Sequence, residues 1–362
     1  MRQLGVSVYI GNAKLQEYEN YLSAAAKYGF SRIFTCLISV GDDKAKALKD
    51  LKELSGHAGT LGMKMVADVT PEIFSELGAS FHNLKPFYDL GLYGIRLDIG
   101  FSGIEESIMS YNEFGLKIEI NMSNGTKYID NILSHKSNTD NLIGCHNFYP
   151  HRYTGISREH FLKCSRQFKK HGLRTAAFIS SGTADFGPWP VREGLCTLEQ
   201  HRNLPMDVQA KDLFNTDLID DVIIANCFAS EEELKLLGEL DKHLLNFKVE
   251  LYGGIPELEK RIVLEEPHFC RGDMSEYMIR STQSRVKYKG CKFDVFNAKP
   301  IKRGDILIEN SLYERYAGEL QVALKDMGNS GRTNVVGHIC EEELFLLDQI
   351  EPWHKFRFIE KR

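Results

Sequence analysis

From its first residues to about Asn246, the chain repeats one pattern: a short apolar run, a polar or Gly-marked turn, then a longer amphipathic stretch. Short apolar runs bounded by turn residues fit strands, and longer stretches with apolar positions every three or four residues fit helices. Strands are predicted at Leu4–Ile10, Arg32–Leu37, Lys64–Asp68, Gly94–Ile99, Leu116–Asn121, Leu142–Cys145, Arg174–Ile179 and Val222–Asn226. Helices are predicted at Leu15–Tyr28, Ala45–Leu61, Ser157–His171 and Glu231–Leu245, the last opened by Ser230 and Glu233 in a capping-box arrangement. Eight such units predict an α/β fold of the TIM (β/α)8 barrel type. An open doubly wound sheet is the rival. Its phosphate-binding turn is Gly-rich, whereas the first turn here reads Gly11-Asn12-Ala13.

Past Lys248 the pattern turns β-rich, with strand-like segments at Val249–Tyr252, Arg261–Glu265, Ser284–Tyr288, Lys292–Phe296, Asp305–Ile308, Leu320–Leu324 and Thr333–Ile339. The break is expected around Asn246–Pro256, where Gly253-Gly254 and Pro256 interrupt the pattern. This gives a barrel over residues 1–246 and a smaller, mostly β domain over residues 247–362. The total of 362 residues agrees, because single cores rarely grow beyond about 250.

Forty-five Lys and Arg against fifty Asp and Glu leave a net charge of −5, without the one-sign excess that draws nucleic acid or an anionic membrane. Neither is expected as a partner, and a homo-oligomer is left open. The eight cysteines are scattered, with no close pair; they read as free thiols in a reducing compartment. No charged-then-apolar leader opens the sequence and no run of about 18 apolar residues occurs, so a cytoplasmic address is expected. No motif calls for a metal or a cofactor.

In such barrels the reacting groups sit where strands end. Alternation places Arg96 and Asp98 on one strand face, and Lys117, Glu119 and Asn121 on one face of the next. With Ile95, Leu97, Ile118 and Ile120 turned to the helices, the polar set projects into the barrel, where a carboxylate is costly without a task or a partner. A structural ion pair of Arg96 with Asp98 or Glu119 is the plainer alternative. Asp68, before Val69-Thr70-Pro71, is a third carboxylate or the cap of a turn. Neighbouring strands lie ~4.8 Å apart, so Asp98 and Glu119 come within reach of the ~5–5.5 Å carboxyl separation of retaining glycosidases.

Two loops add to the mouth. Gly144-Cys145-His146-Asn147-Phe148-Tyr149-Pro150-His151-Arg152 crowds aromatic faces, which stack on sugar CH surfaces, with groups that bond hydroxyls or anions. Its alternative is packing on the next helix. The stretch from Ser180 to Pro205 contains Gly187-Pro188-Trp189-Pro190 and runs from Glu193 to Arg202; long loops in compact domains are usually functional. Glu193 and Thr197 are candidates there, while Glu199, His201 and Arg202 alternatively form the first turn of a helix. Asn226 ends the last strand as a polar contact, with Ser230 beyond it as contact or cap. In the β-rich part, Arg271 and Arg280 have planar forks that suit phosphate oxygens, though surface arginines look the same.

The runs Gly29-Phe30-Ser31-Arg32-Ile33-Phe34-Thr35-Cys36-Leu37, Arg96-Leu97-Asp98, His146-Asn147-Phe148-Tyr149-Pro150, Glu193-Gly194-Leu195-Cys196-Thr197-Leu198-Glu199-Gln200-His201-Arg202 and Tyr316-Ala317-Gly318-Glu319-Leu320 together resemble glycoside hydrolase family 170, the bacterial 6-phospho-N-acetylmuramidases. The resemblance covers nearly the whole chain. It implies a TIM-type barrel followed by a cyclophilin-like β domain. It further implies cytoplasmic hydrolysis of a small phosphorylated disaccharide, the β-1,4-linked N-acetylmuramic acid 6-phosphate and N-acetylglucosamine pair, during cell-wall turnover. One departure is Ile10-Gly11-Asn12, where many relatives are expected to carry a Pro-Glu type turn; another 6-phospho-disaccharide is the alternative substrate.

Under that reading Glu119 is the expected acid, raised by apolar strand neighbours, and Asp98 the second carboxylate, held ionised by Arg96. Asp68 is available to orient the 2-acetamido group. The phosphate and lactyl carboxylate call on Arg152, Arg202, Arg271 and Arg280, with His146 and Asn147 nearer the ring and Arg96, Asn121 and Tyr149 as further substrate-binding candidates. Two other classes are weighed: an aldolase with Lys64 or Lys117 as Schiff-base nucleophile, and a non-catalytic sugar-phosphate binding protein.

Overall fold

The structure is a computed structural model that describes residues 1–37, 44–189 and 191–361. They divide into two compact units, Met1–Leu240 and a second beginning at Asp241. The first is a closed parallel barrel of β1 (Gln3–Val8), β2 (Phe30–Cys36), β3 (Lys64–Val69), β4 (Gly94–Leu97), β5 (Lys117–Asn121), β6 (Leu142–Cys145), β7 (Arg174–Ile179) and β8 (Asp221–Ile224), with β8 pairing back onto β1. Each predicted barrel strand coincides with one of these. Ile95, Ile118 and Ile120 join the hydrophobic core, where burying each side chain is worth about 1.5–3 kcal/mol. The helix Leu15–Lys27 buries Tyr18, Tyr21, Leu22 and Ala25, a three-to-four-residue spacing that follows from the helical period.

The barrel interior is not wholly apolar. Arg32 on β2, Glu119 on β5 and Asp221 on β8 are buried together: Arg32 Nη1 meets Asp221 Oδ2 at 2.5 Å, and Arg32 Nη2 bonds Glu119 Oε2. Arg174 adds Nε to Asp221 Oδ2 at 2.9 Å. Gly5 on β1 leaves room for this ionic layer, since a Cβ there would lie 3.2 Å from that of Arg32 and 3.1 Å from Ile223.

The second unit is a seven-stranded sheet in the order β10-β15-β9-β14-β12-β13-β11: β9 (Leu245–Leu251), β10 (His268–Phe269), β11 (Met278–Ser281), β12 (Asp305–Glu309), β13 (Leu320–Ala323), β14 (Thr333–Ile339) and β15 (Lys355–Glu360). Five expectations need correction. The helix starting at Glu231 keeps its Ser230/Glu233 capping box but ends at Gly238 rather than Leu245; Asp241 Oδ1 then accepts from the backbone NH groups of His243 and Leu244, a turn that leads into β9. Consequently residues 246–248 are strand rather than linker, and the strand expected at Val249–Tyr252 starts earlier, at Leu245. Arg261–Glu265 belongs to a helix, Glu257–Glu265, whose buried positions Glu259, Ile262 and Val263 follow the helical period. Ser284–Tyr288 lies largely in a short helix, Gln283–Lys287, and Lys292–Phe296 in irregular chain. Short apolar runs do not by themselves separate strand from helix.

None of the eight cysteines is in a disulfide, and seven are buried; Cys291 is the exposed one. No helix among the described residues is long and apolar enough to cross a membrane.

Candidate active site

Parallel register sets Asp68 of β3 beside Arg96 of β4, and Arg96 beside Glu119 of β5. Two residues on, Asp98 follows the end of β4. Arg96 Nη1 lies 2.9 Å from Asp68 Oδ1 and 3.3 Å from Asp98 Oδ1. Two oxygens sharing one nitrogen at those distances are at most about 6 Å apart, so the two carboxyl groups flank a single small space. Arg96 Nη2 donates to Asn147 Oδ1. Asn121 Nδ2 donates to Asp98 Oδ1 at 3.3 Å and its Oδ1 accepts from Ser123 N at 2.9 Å. Arg96, Asp68, Asp98, Asn121 and Asn147 therefore form one cluster at the carboxyl ends of the strands.

The two aspartates differ in setting. The Asp68 side chain is only 10% exposed, against 39% for Asp98. Burial pushes the Asp68 carboxyl up to about 6, the Asp98 charge adding to the rise while Arg96 opposes it. Tyr149 belongs to the same field: burial raises its phenol, a hydrogen bond to Ser123 and the Arg96 charge oppose the rise, and the Asp98 charge adds to it.

Glu119 sits elsewhere than expected. Its register partner is Arg96, not Asp98, so it points below the cluster and is fully buried. Its neighbours are not only apolar: Oε2 bonds Arg32, and Oε1 stands 4.0 Å from Arg96 Nε. The structure thus brings Asp98 to Asp68 and Asn121, and makes Glu119 the link between the ionic layer and Arg96.

The loop residues separate into those that face the mouth and those that build it. His146 is fully buried with Nδ1 3.1 Å from Ser123 Oγ and Nε2 2.9 Å from Ser165 Oγ; burial pushes its pKa down to about 3. Ser123 Oγ in turn accepts from Asn147 N at 2.9 Å, so His146 acts on the cluster through Ser123 rather than on a sugar. Thr197, fully buried, donates to Asn147 O at 2.8 Å and accepts from Phe178 N at 2.9 Å. Asn226 accepts from Ser180 Oγ at 3.2 Å and Ser181 N at 2.9 Å. His201 is buried against Asp212, with Nε2 2.6 Å from Oδ2.

Arg202 is a loop clamp and not the free cation expected. It reaches both Glu199 oxygens at 2.7 Å and the carbonyls of Tyr149, Glu193, Gly194 and His151, with its side chain 4% exposed. The Arg202 guanidinium, with burial opposing and the NH groups of Tyr153 and Gly155 assisting, holds Glu199 down at about 2. Glu199 does open a helical turn, the 3₁₀ helix Glu199–His201 that Arg202 caps, but neither side chain is left to solvent. Arg202→Gln is expected to cost on the order of 3 kcal/mol by stranding these carbonyls, read as a shift in denaturant midpoint, and to affect phosphorylated and dephosphorylated substrates alike. Arg152 is different: it is half exposed, with Nε 3.9 Å from Glu193 Oε1, while its backbone NH donates to Glu193 Oε2 at 3.0 Å.

Arg271 and Arg280 lie in the second unit, the former on Asp273, the latter on buried Glu319. Lys64 and Lys117 open β3 and β5, at the strand ends remote from the mouth; Lys117 Nζ donates to Asp140 O and Asn141 Oδ1, both at 2.8 Å. Two contributors escaped the sequence. Ser123 and the half-exposed Trp189, 6.0 Å from the Phe148 ring, were not singled out; Phe148 itself packs on Phe34 and Phe178. Pro190, beside Trp189, lies outside the described residues. A lone arginine inside the apolar run Phe30–Cys36 was the one available signal for Arg32.

Comparison with known proteins bears on the fold and the family. A crystal structure of an uncharacterized B. cereus protein is 49% identical, covers 99% of both chains and superposes with a TM-score of 0.93. A conserved Enterococcus faecalis protein of unknown function is 24% identical over 99% of this chain and 96% of its own, with a TM-score of 0.73, which bears on fold alone. No curated protein matches. The sequence profile described as 6-phospho-N-acetylmuramidase, N-terminal, matches residues 4–239, and its C-terminal counterpart matches residues 245–359. With nearly every residue inside one or the other, the chain belongs to the 6-phospho-N-acetylmuramidase family, glycosidases acting on phosphorylated muramic sugar.

Proposed function

We propose that this protein hydrolyses the β-1,4 bond between N-acetylmuramic acid 6-phosphate and N-acetylglucosamine, in the cytoplasm, as a step of cell-wall recycling. The observation that carries the reading is the pair Asp68 and Asp98 held on one Arg96 nitrogen. Glycoside cleavage needs one carboxyl that donates a proton and one that stays anionic. Asp68, raised to about 6, suits the donor: its proton passes to the glycosidic oxygen as the bond from that oxygen to the anomeric carbon breaks. Asp98, held by Arg96 and Asn121, suits the anion that meets the developing positive charge at that carbon. The donor then takes a proton from the incoming water.

Asn147, its carbonyl oxygen on Arg96, keeps its NH2 group for sugar hydroxyls. Tyr149 and Trp189 offer aromatic faces, and Arg152 is the mouth cation suited to the phosphate. The Schiff-base alternative loses its support, since Lys64 and Lys117 occupy the wrong strand ends.

The test is incubation with the phosphorylated disaccharide, its dephosphorylated form and a 6-phospho-disaccharide lacking the lactyl group. Release of N-acetylglucosamine from the first, with Arg152→Gln weakening the phosphorylated substrate selectively, is expected. No release by folded protein would remove this substrate. The pH dependence has a defined sign. Below about 6 Asp68 holds its proton in the free enzyme, so kcat/KM is expected to be high there and to fall about tenfold per pH unit on the alkaline side. A profile flat from pH 5 to 8 contradicts the assignment.

A further inference from the structure

In the second unit, two sequence segments converge on one carboxylate. Glu319 is fully buried; its Oε1 takes Arg280 Nε at 2.6 Å and its Oε2 lies 2.9 Å from Arg285 Nη1. Both guanidinium groups also lie over the Tyr316 ring, 5.8 and 5.4 Å from its centroid. A carboxylate buried this completely is costly unless paired, and the pairing fixes Arg285 through one nitrogen while leaving the rest of its fork unspent.

Arg285 lines a cavity of about 680 Å³ together with Lys289, Arg315, Ser311, Tyr316 and Cys291. Neither Lys289 nor Arg315 has an ion-pair partner among the described residues. The only carboxylate in the lining is Glu314, whose backbone stands at φ 26°, ψ −85° and breaks the Ser311–Tyr316 turn in two. Strain of that kind costs about 1–3 kcal/mol and persists only where the surroundings impose it. Arg280 and Arg285 share the one charge of Glu319, and Lys289 and Arg315 face the one charge of Glu314, which leaves an excess of about two that matches the roughly −1.5 to −2 charge of a phosphomonoester at neutral pH. The volume lies within the ~300–1,000 Å³ of small-molecule sites, more than a bare phosphate needs.

We propose that this cavity binds a phosphate group, carried by a phosphorylated sugar or free in solution, with Arg285, Lys289 and Arg315 as its donors. Cys291 supplies the readout, because it lines the cavity and the other seven cysteines are buried. Full-length protein is treated with iodoacetamide, and Cys291 labelling is followed by peptide mass with glucose 6-phosphate, glucose or inorganic phosphate present. Glucose 6-phosphate is expected to slow labelling saturably, about tenfold at ten times its Kd, and glucose to leave it unchanged. Protection by the sugar phosphate at lower concentration than by inorganic phosphate identifies the sugar form as the ligand; the reverse order identifies free phosphate. The double variant Lys289→Gln/Arg315→Gln, which breaks no ion pair, is expected to fold and to lose the protection. No protection by either phosphate, equal protection by glucose, or protection retained in the double variant would overturn the proposal.

Discussion

Asp68→Asn and Asp98→Asn are each expected to lower kcat/KM for the phosphorylated disaccharide by about 10²–10⁴-fold, with melting temperatures close to that of the parent protein. The amide keeps the shape of the carboxyl in both cases, and Arg96 keeps the other aspartate and Glu119 beside it in each. The losses are expected to differ in kind. Without Asp68 the leaving oxygen departs unprotonated, so kcat falls and the alkaline limb of the pH profile disappears. Without Asp98 the anomeric charge is unopposed, and no change of leaving group restores the rate. Steady-state kinetics with circular dichroism melts checks both, and near-parent activity in either variant removes that aspartate from the chemistry.

Glu119→Ala is expected to act on stability. Glu119 is buried between Arg32 and Arg96, and removing one partner of a buried ion pair leaves uncompensated charge, typically at a cost of about 3–5 kcal/mol. For a unit the size of this barrel that corresponds to a drop of roughly 10 °C in Tm. Glu119→Gln keeps the volume and is expected to lose part of that stability while the folded fraction stays active within about tenfold. A stable but inactive Glu119→Gln protein would return the acid role to Glu119 and displace Asp68.

That reassignment shows where the sequence stops being readable. Period-two alternation correctly turned Arg96, Glu119 and Asn121 inward, and the eight strands followed from apolar runs between turn residues. Alternation says which face a side chain takes, but not how far along the barrel axis its neighbours lie. That depends on register between strands, which sets Arg96 beside both Asp68 and Glu119 and lifts Asp98 above Glu119. The missing partner was Arg32, on a strand far away in sequence whose guanidinium crosses the interior. Loop residues were legible as a group but not singly: Arg202 and Arg152 look equivalent in a string of letters, yet one is consumed by backbone carbonyls and the other is half exposed. In the second unit, Ile262-Val263-Leu264 was ambiguous between strand and helix, and the helix beginning after Pro256 won.

The sharpest test of the proton-donor assignment is the leaving-group dependence of Asp68→Asn. An aryl 6-phospho-N-acetyl-β-muramoside with a nitrophenolate leaving group needs no proton to depart, whereas the disaccharide's sugar alkoxide does. Asp68→Asn is expected to retain most of the parent kcat/KM on the aryl substrate while losing activity on the disaccharide. Equal losses on both substrates would contradict it.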